Sequence, residues 1–298
     1  MSKYAWVALG SFVFVALAGL LFVYRFSSSK NQSDVLPYLP IASTTVSTFK
    51  NNVIGKSVNG RNIEAFTYGS GDTLLLFVGG MHGGYEWNSI LLAYEFIDYL
   101  GKNPDMIPKG LKLTVIPDAN PDGAYAIIRK DGRFDIGDIP EGLDQSAGRL
   151  NANGVDLNRN FDCKWEPTAV WRNKKVSGGT EPFSEPESVA IRDFVLTQRP
   201  RAVVTWHSQA NAVYASECKN GVLPETLAIM KAYSDASGYP AVKSFNAYPV
   251  TGDTEGWLAS IGIAALTVEM KSHESVEWEK NLAGIKALIR YYSPRTDN

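Results

Sequence analysis

The sequence contains few histidines, two cysteines and no strong excess of either charge. Among its 298 residues, His82, His207 and His273 are the only histidines, so a metal site that uses histidine can be assembled in few ways. Lysine and arginine total 29 against 31 acidic residues. Because no basic field is available to hold the phosphate backbone, we expect no nucleic-acid partner.

The chain also lacks internal repeats and, outside one segment, low-complexity tracts. Residues 27–45 are rich in serine and proline and predict a flexible tether. The remainder, residues 46–298, is predicted to be one folded domain. The chain is 45% hydrophobic, which is enough for one large core.

Residues 4–24 form a long run without a charged side chain. Residues 1–26 are therefore predicted to be a transmembrane anchor. A cleaved signal peptide is the alternative, since residues 16–18 (ALA) resemble a cleavage site, although the apolar run continues beyond them. We expect the folded domain, residues 46–298, to lie outside the cytoplasm, anchored to the membrane, or secreted if the segment is cleaved.

Apolar runs alternate with helical patterns after the tether. A strand covered on both faces is predicted at residues 73–78, and a second buried strand at residues 111–116. Further strands are predicted at residues 201–206 and 264–269. Helices are predicted at residues 87–100, 185–198, 224–237 and 275–292. An Asn59-Gly60 pair predicts a hairpin, and residues 117–123 (PDANPDG) predict a turn-rich loop. This alternation is typical of an α/β fold with a largely parallel, helix-covered sheet.

Chemistry-bearing side chains follow several of these strands. His82 and Glu86 lie in the glycine-rich segment 76–86 (LFVGGMHGGYE), and His207 and Glu269 lie at the ends of later strands. Ligand sites in such sheets form at the carboxyl ends of the strands. Two histidines and a carboxylate are a known set of catalytic zinc ligands.

Two motifs carry a family resemblance: residues 151–161 (NANGVDLNRNF) and the loop 117–123. Together with the order of the other elements, they resemble the zinc carboxypeptidase (metallocarboxypeptidase) family over about residues 46–292. The resemblance implies a mixed, largely parallel eight-stranded sheet covered by helices on both faces. It also implies one zinc ion as the cofactor.

By this resemblance, His82, Glu86 and His207 are the zinc ligands, and Asp156 accepts a hydrogen bond from His82. The usual family spacing is His-x-x-Glu, whereas this chain has one residue more. Both spacings return to the same face of a helix, so Glu86 remains the expected ligand. Without it, the zinc site would be incomplete and the chain inactive.

The resemblance also implies roles in substrate binding and catalysis. Asn158 and Arg159 would bind the terminal carboxylate of the substrate, which suits a guanidinium fork. Arg149 would polarise the scissile carbonyl, and Tyr248 would close over the substrate. Glu269 would be the general base that takes a proton from the attacking water and passes it to the leaving amine.

Glu255 lies two residues before Trp257, where the family places the base of the pocket for the terminal side chain. An acid there would favour a basic terminal residue or a diaminopimelate amine. The alternative is that the loop 250–256 is displaced and Glu255 is solvated. Cys163 and Cys218 are either a disulfide, which an exported domain permits, or two buried thiols.

The sequence predicts a monomeric, zinc-dependent carboxypeptidase acting on a peptide or a peptidoglycan fragment. One alternative is a murein peptide amidase that cleaves γ-D-glutamyl–diaminopimelate bonds, as parts of the family do. An alternative of another class is an inactive, zinc-free peptide- or wall-binding module. Glu269 and Arg149 argue against that module, since binding alone needs no proton transfer.

Overall fold

The computed structural model describes residues 49–142 and 144–293. The predicted anchor (1–26) and tether (27–45) lie outside the described residues. Within the described ranges, no helix combines the length and the apolar character needed to cross a membrane.

The described chain alternates strands and helices. The strands are β1 (Phe49–Lys56), β2 (Asn62–Gly69), β3 (Thr73–Val78), β4 (Leu111–Ile116), β5 (Thr168–Trp171), β6 (Lys174–Ser177), β7 (Ala202–Ser208), β8 (Ala212–Ala215), β9 (Glu217–Cys218), β10 (Gly221–Val222), β11 (Ala241–Val242) and β12 (Ala264–Met270). The α-helices are α1 (Trp87–Lys102), α2 (Pro121–Ile128), α3 (Pro186–Gln198), α4 (Pro224–Ser237), α5 (Thr254–Ser260) and α6 (Trp278–Tyr292).

Eight strands form one mixed sheet in the order β1-β2-β4-β3-β7-β12-β8-β11. The central strands β4, β3, β7 and β12 are mutually parallel. Antiparallel pairs flank them, namely β1 with β2, β2 with β4, and β8 with β12. The predicted mixed, largely parallel eight-stranded sheet is confirmed. Two further pairs, β5–β6 and β9–β10, are separate hairpins.

Strand β3 shows why its sequence is a continuous apolar run. Leu75 and Phe77 lie in the core beneath α1, α4 and α6, whereas Leu76 and Val78 lie in the core beneath α3 and α5. Successive side chains of a strand point to opposite faces. A strand with both faces covered therefore needs apolar residues at every position, and helices cover both faces of this sheet.

The polar loop after β4 differs from its prediction. A helix, α2, begins at Pro121, inside the segment predicted to be a loop through residue 123. Asn120 caps this helix, because its side-chain oxygen accepts a hydrogen bond from the Gly123 N–H at 2.9 Å. Proline at the first helical position supplies the required φ. The hairpin predicted at Asn59 and Gly60 does form, between β1 and β2, and Gly60 has a φ of +81°.

Candidate metal centre and active site

A cavity of about 860 Å³ opens at the carboxyl ends of β7 and β12. It brings together the predicted site residues His82, Glu86, Arg149, Asn158, Arg159, His207, Tyr248, Glu255 and Glu269. The remaining one, Asp156, is fully buried behind His82. Residues far apart in the sequence thus meet at the edge of the sheet where α/β folds form ligand sites.

Glu86 bridges the two histidines at the centre of the cavity. Its Oε1 lies 2.9 Å from Nδ1 of His82, and its Oε2 lies 2.9 Å from Nδ1 of His207. The two Nδ1 atoms are 3.2 Å apart. All three side chains are buried, and among the described residues they form a group whose possible ligand atoms lie within 4.8 Å of one another.

This arrangement fits a zinc ion. Zinc bonds of about 2.0–2.2 Å in a tetrahedron separate the ligand atoms by roughly 3.4 Å, close to the 3.2 Å between the Nδ1 atoms of His82 and His207. Buried lone pairs that face one another also need a positive charge between them. Nitrogen and carboxylate ligands of this kind are those that zinc prefers.

The charges of the cluster depend on one another. Burial raises the pKa of Glu86, but the two histidines outweigh burial and hold that pKa well below its usual range. Burial lowers the pKa of His207, but Glu86 and then Glu255 raise it by more. The pKa of His207 therefore lies well above its ordinary value. The protein thus stabilises an ionised carboxylate at the point where a cation is expected.

A 3-10 turn, Gly83–Glu86, brings His82 and Glu86 together before α1 begins at Trp87. The expectation that both residues lie on one helical face was wrong, because the α-helix starts only after Glu86. Gly83 has a φ of +44°, and a Cβ atom there would lie 2.7 Å from backbone atoms of the α2 and Gly148 segments. Only glycine fits this turn.

Asp156 joins His82 to Arg149. Its Oδ1 lies 3.5 Å from Nε2 of His82. Its Oδ2 accepts a hydrogen bond from Nε of Arg149 at 2.9 Å and forms an ion pair with Nη2 at 2.8 Å. Burial raises the pKa of Asp156, but Arg149 and His82 hold it well below its ordinary value. Nη1 of Arg149 lies 3.8 Å from Glu86, so this guanidinium is fixed beside the candidate metal ligands.

Asn158 and Arg159 lie on a 3-10 turn, Leu157–Arg159, in the cavity wall. Nη1 of Arg159 donates to the carbonyl of Asn158 at 2.5 Å, and its Nε and Nη2 donate to the carbonyl of Val170 at 3.3 and 3.2 Å. The side-chain oxygen of Asn158 accepts a hydrogen bond from the Thr254 N–H. Both side chains are thereby held rigidly at the cavity.

Glu269 is half-buried at the end of β12, directly beside His207 in the parallel pairing of β7 and β12. Burial first, and then the charge of Glu86, raise its pKa to about 7. Its Oε2 accepts a hydrogen bond from the Ala210 N–H at 3.2 Å. A carboxylate with such a pKa is suited to accept and return a proton near neutral pH.

Tyr248 and Glu255 occupy different parts of the cavity. The ring of Tyr248 packs 4.8 Å from that of Phe245 in the long segment before α5. Glu255 lies in the first turn of α5 and is 3% exposed. The alternative of a solvated Glu255 is therefore wrong. Asp253, the N-cap of α5, lines the same cavity, and burial and then the charge of Glu255 raise its pKa to about 6.

The sequence reasoning missed an aromatic wall. The ring of Tyr85 packs edge-on against Trp171 at 5.1 Å and against His273 at 4.6 Å, and Arg149 lies 4.5 Å over Trp171. Tyr85 lies between His82 and Glu86, where the spacing is one residue longer than usual. This longer spacing is the one sequence signal for Tyr85. Trp171 comes from the β5–β6 hairpin, which no pattern predicted.

The two cysteines form a disulfide between Cys163 and Cys218, with an S–S distance of 2.06 Å. It links the segment after the Arg159 turn to β9. The alternative of two buried thiols is wrong.

Comparison with known proteins supports the same assignment. A family model described as zinc carboxypeptidase matches residues 41–287. The chain is 27% identical over 217 residues to γ-D-glutamyl-L-diamino acid endopeptidase 1 from Lysinibacillus sphaericus, covering 65% of this chain and 54% of that protein. It is 30% identical over 164 residues to murein peptide amidase A from Escherichia coli K12, covering 51% and 64%. The chain thus spans less than two thirds of the length of these relatives.

A solved structure, murein-tripeptide amidase from Escherichia coli O157, has the same fold. The TM-score is 0.60 at 22% identity, and the match covers 86% of this chain and 98% of that chain.

Proposed function

The chain belongs to the zinc carboxypeptidase family of peptide-bond hydrolases, and from this premise we propose that it is a zinc-dependent carboxypeptidase. It hydrolyses the bond before a terminal residue that carries a free carboxylate. The observation that carries the proposal is one cavity lined by a three-residue metal cluster, a half-buried carboxylate and an Asn-Arg pair.

His82, Glu86 and His207 would hold the metal. A bound zinc ion supplies Lewis-acid chemistry, which polarises a carbonyl and acidifies water. Glu269 removes a proton from the attacking water and returns it to the leaving amine. Its hydrogen bond from the Ala210 N–H keeps the carboxylate in one orientation.

Arg149 stabilises the negative charge that develops on the scissile carbonyl oxygen. Asp156 holds its Nε and Nη2, so the guanidinium needs no reorganisation during the reaction. Preorganised donors of this kind typically contribute the largest part of catalysis in acyl-transfer sites.

Arg159 and Asn158 bind the terminal carboxylate. The backbone carbonyls of Asn158 and Val170 take three of the guanidinium N–H groups. A guanidinium has five such groups, so two remain for the substrate. Tyr248 lines the cavity and closes over the bound residue.

The cavity also carries two acids, the half-buried Asp253 and the buried Glu255. We propose that the carboxylate of Asp253 favours a terminal residue with a basic side chain. The same chemistry suits the amine of diaminopimelate. A second function is therefore a murein peptide amidase, and the names of the two relatives, an L-diamino acid endopeptidase and a murein peptide amidase, favour it specifically.

The test compares three substrates with the purified domain: a peptide ending in lysine, the same peptide ending in leucine, and the tripeptide L-Ala-γ-D-Glu-diaminopimelate. Each is incubated with zinc and with a chelator, and the products are identified by mass spectrometry. The carboxypeptidase proposal expects zinc-dependent release of lysine, faster than release of leucine. Cleavage of the tripeptide alone would establish the amidase. Tight peptide binding without hydrolysis in any arm would identify a binding module instead.

We further propose a monomer that is anchored through residues 1–26, with its catalytic domain outside the cytoplasm. The Cys163–Cys218 disulfide supports export, because disulfides persist in oxidising compartments. Digestion of the domain by protease added to intact cells supports this topology. Protection until the cells are lysed contradicts it.

A further inference from the structure

Each histidine of the metal cluster has a carboxylate at the ring nitrogen remote from Glu86. Nε2 of His82 lies 3.5 Å from Oδ1 of Asp156, and Nε2 of His207 lies 3.5 Å from Oε1 of Glu255. Asp156 was expected there, whereas Glu255 was expected to read the substrate. Both Nε2 atoms are buried, and neither makes a hydrogen bond within the described residues. The nearby carboxylate is therefore the polar group available to each.

The strand that carries His207 also fixes Glu255. Thr205 lies two residues before His207 on β7, so both side chains point to the same face of the sheet. The Thr205 hydroxyl donates a hydrogen bond to Oε1 of Glu255. The first turn of α5 therefore delivers a carboxylate whose oxygen contacts two neighbouring side chains of one strand.

A carboxylate in this position determines which ring nitrogen of His207 carries the proton. A neutral imidazole has one N–H and one lone pair. A carboxylate at Nε2 favours the proton on Nε2, which leaves the Nδ1 lone pair facing Glu86 and the second histidine. With the proton on Nδ1 instead, an N–H would point at the place where a cation is needed.

We propose that Glu255 is a positioning residue that fixes the tautomer and the orientation of His207 for metal binding, rather than the residue that reads the terminal side chain of the substrate. The inference rests on the proposed zinc site. If Glu255 has this role, Asp253 is the acid that remains available to a basic terminal residue.

The test measures metal binding directly. Zinc affinity is determined by competition with a chromophoric chelator for the wild type, Glu255→Gln and Thr205→Val. Removal of such an outer partner typically costs 10–100-fold in metal affinity, so we expect a loss of that order in Glu255→Gln and a smaller loss in Thr205→Val. The absorption spectrum of the cobalt-substituted protein should change in Glu255→Gln as well.

Glu187→Gln is the matched control. Glu187 is also fully buried, but it lies on α3 outside the cavity and binds Asn151 and the Val58 N–H. The zinc affinity and the cobalt spectrum of the Glu187→Gln variant should equal those of the wild type. Thermal unfolding of the metal-free proteins identifies any variant that fails to fold. If Glu255→Gln does not fold, Thr205→Val becomes the test, and an unchanged zinc affinity in that variant overturns the proposal.

A second measurement separates positioning from specificity. At saturating zinc, Glu255→Gln should keep the wild-type ratio of kcat/KM between lysine-ending and leucine-ending peptides. A folded Glu255→Gln variant with wild-type zinc affinity and a lost lysine preference overturns the inference. If the wild type itself binds no zinc, the proposed function fails, and that result is distinct from a failure of this inference.

Discussion

Nδ1 of His82 lies 2.9 Å from Oε1 of Glu86 across a 3-10 turn, and the second oxygen of Glu86 lies equally close to His207. One carboxylate thereby contacts two buried histidines at once. Loss of Glu86 would remove both a ligand and the negative charge that balances a cation, so metal binding should depend strongly on this residue.

Glu86→Ala should lose zinc binding. Zinc at about 100 times its Kd stabilises the wild type by about 2.7 kcal/mol, which for a domain of this size raises Tm by roughly 5–10 °C. The variant should show no zinc-dependent shift. Calorimetry with and without zinc measures the shift, and elemental analysis measures the metal content.

Glu279→Ala serves as the control, because Glu279 is an exposed acid on α6. It should keep the full zinc-dependent rise in Tm. Full zinc occupancy in Glu86→Ala would contradict the assignment of Glu86 as a ligand.

Glu269→Gln should retain zinc and lose activity. The amide cannot accept the proton of the attacking water, and loss of a general base lowers kcat by about 10²–10⁴-fold. Zinc affinity should change by only a few-fold, because Glu269 lies outside the three-residue cluster. Steady-state kinetics and chelator competition measure the two quantities. A variant with wild-type kcat would sink the assignment.

The pH dependence of kcat/KM should have an acid limb that belongs to Glu269. Burial, followed by the charge of Glu86, raises the pKa of Glu269 to about 7, and the ionised form is the active base. Activity is therefore full above this pKa and falls as the pH decreases through it. A bound zinc ion adds positive charge and lowers this pKa, so the limb should lie at or below about pH 7. A flat profile between about pH 8 and pH 5 contradicts the prediction.

The apolar strands and the candidate metal ligands could be predicted from the sequence because their signals are local. β3 is a continuous apolar run, and His82 lies four positions after its last residue, Val78. The contact between Glu255 and His207 could not be predicted, because it depends on how α5 packs beside β7. Trp171 could not be predicted either, because the sequence of its hairpin shows no clear alternation of polar and apolar residues. Nor could α2, because its sequence resembles a loop and the helix depends on the cap that Asn120 provides.

Arg149→Lys should lower kcat by about 10–100-fold with little change in KM. Lysine keeps the charge, but with a single nitrogen it cannot reproduce the hydrogen bond from Nε together with the ion pair of Nη2 to Asp156. The cation is then no longer fixed where charge develops. Arg192→Lys, at an exposed ion pair on α3, should have wild-type kinetics. A rise in KM with unchanged kcat would assign Arg149 to substrate binding instead.

Removal of the disulfide should weaken both stability and substrate binding. Cys163 and Cys218 are 55 residues apart, and closing a loop of that length stabilises a fold by about 4 kcal/mol in the chain-entropy model. The variant Cys163→Ser/Cys218→Ser should therefore unfold roughly 8–16 °C lower.

The effect on KM follows from the position of the disulfide in the cavity wall. The Gly252 N–H donates to the carbonyl of Cys163, and the Phe161 N–H donates to the carbonyl of Gly252. The segment after Arg159 is thereby joined to the one before α5, so loosening it should raise KM more than it lowers kcat. Reductant should reproduce both effects in the wild type and leave the double variant unchanged. Equal stability of the oxidised and reduced wild type contradicts a stabilising role for this bond.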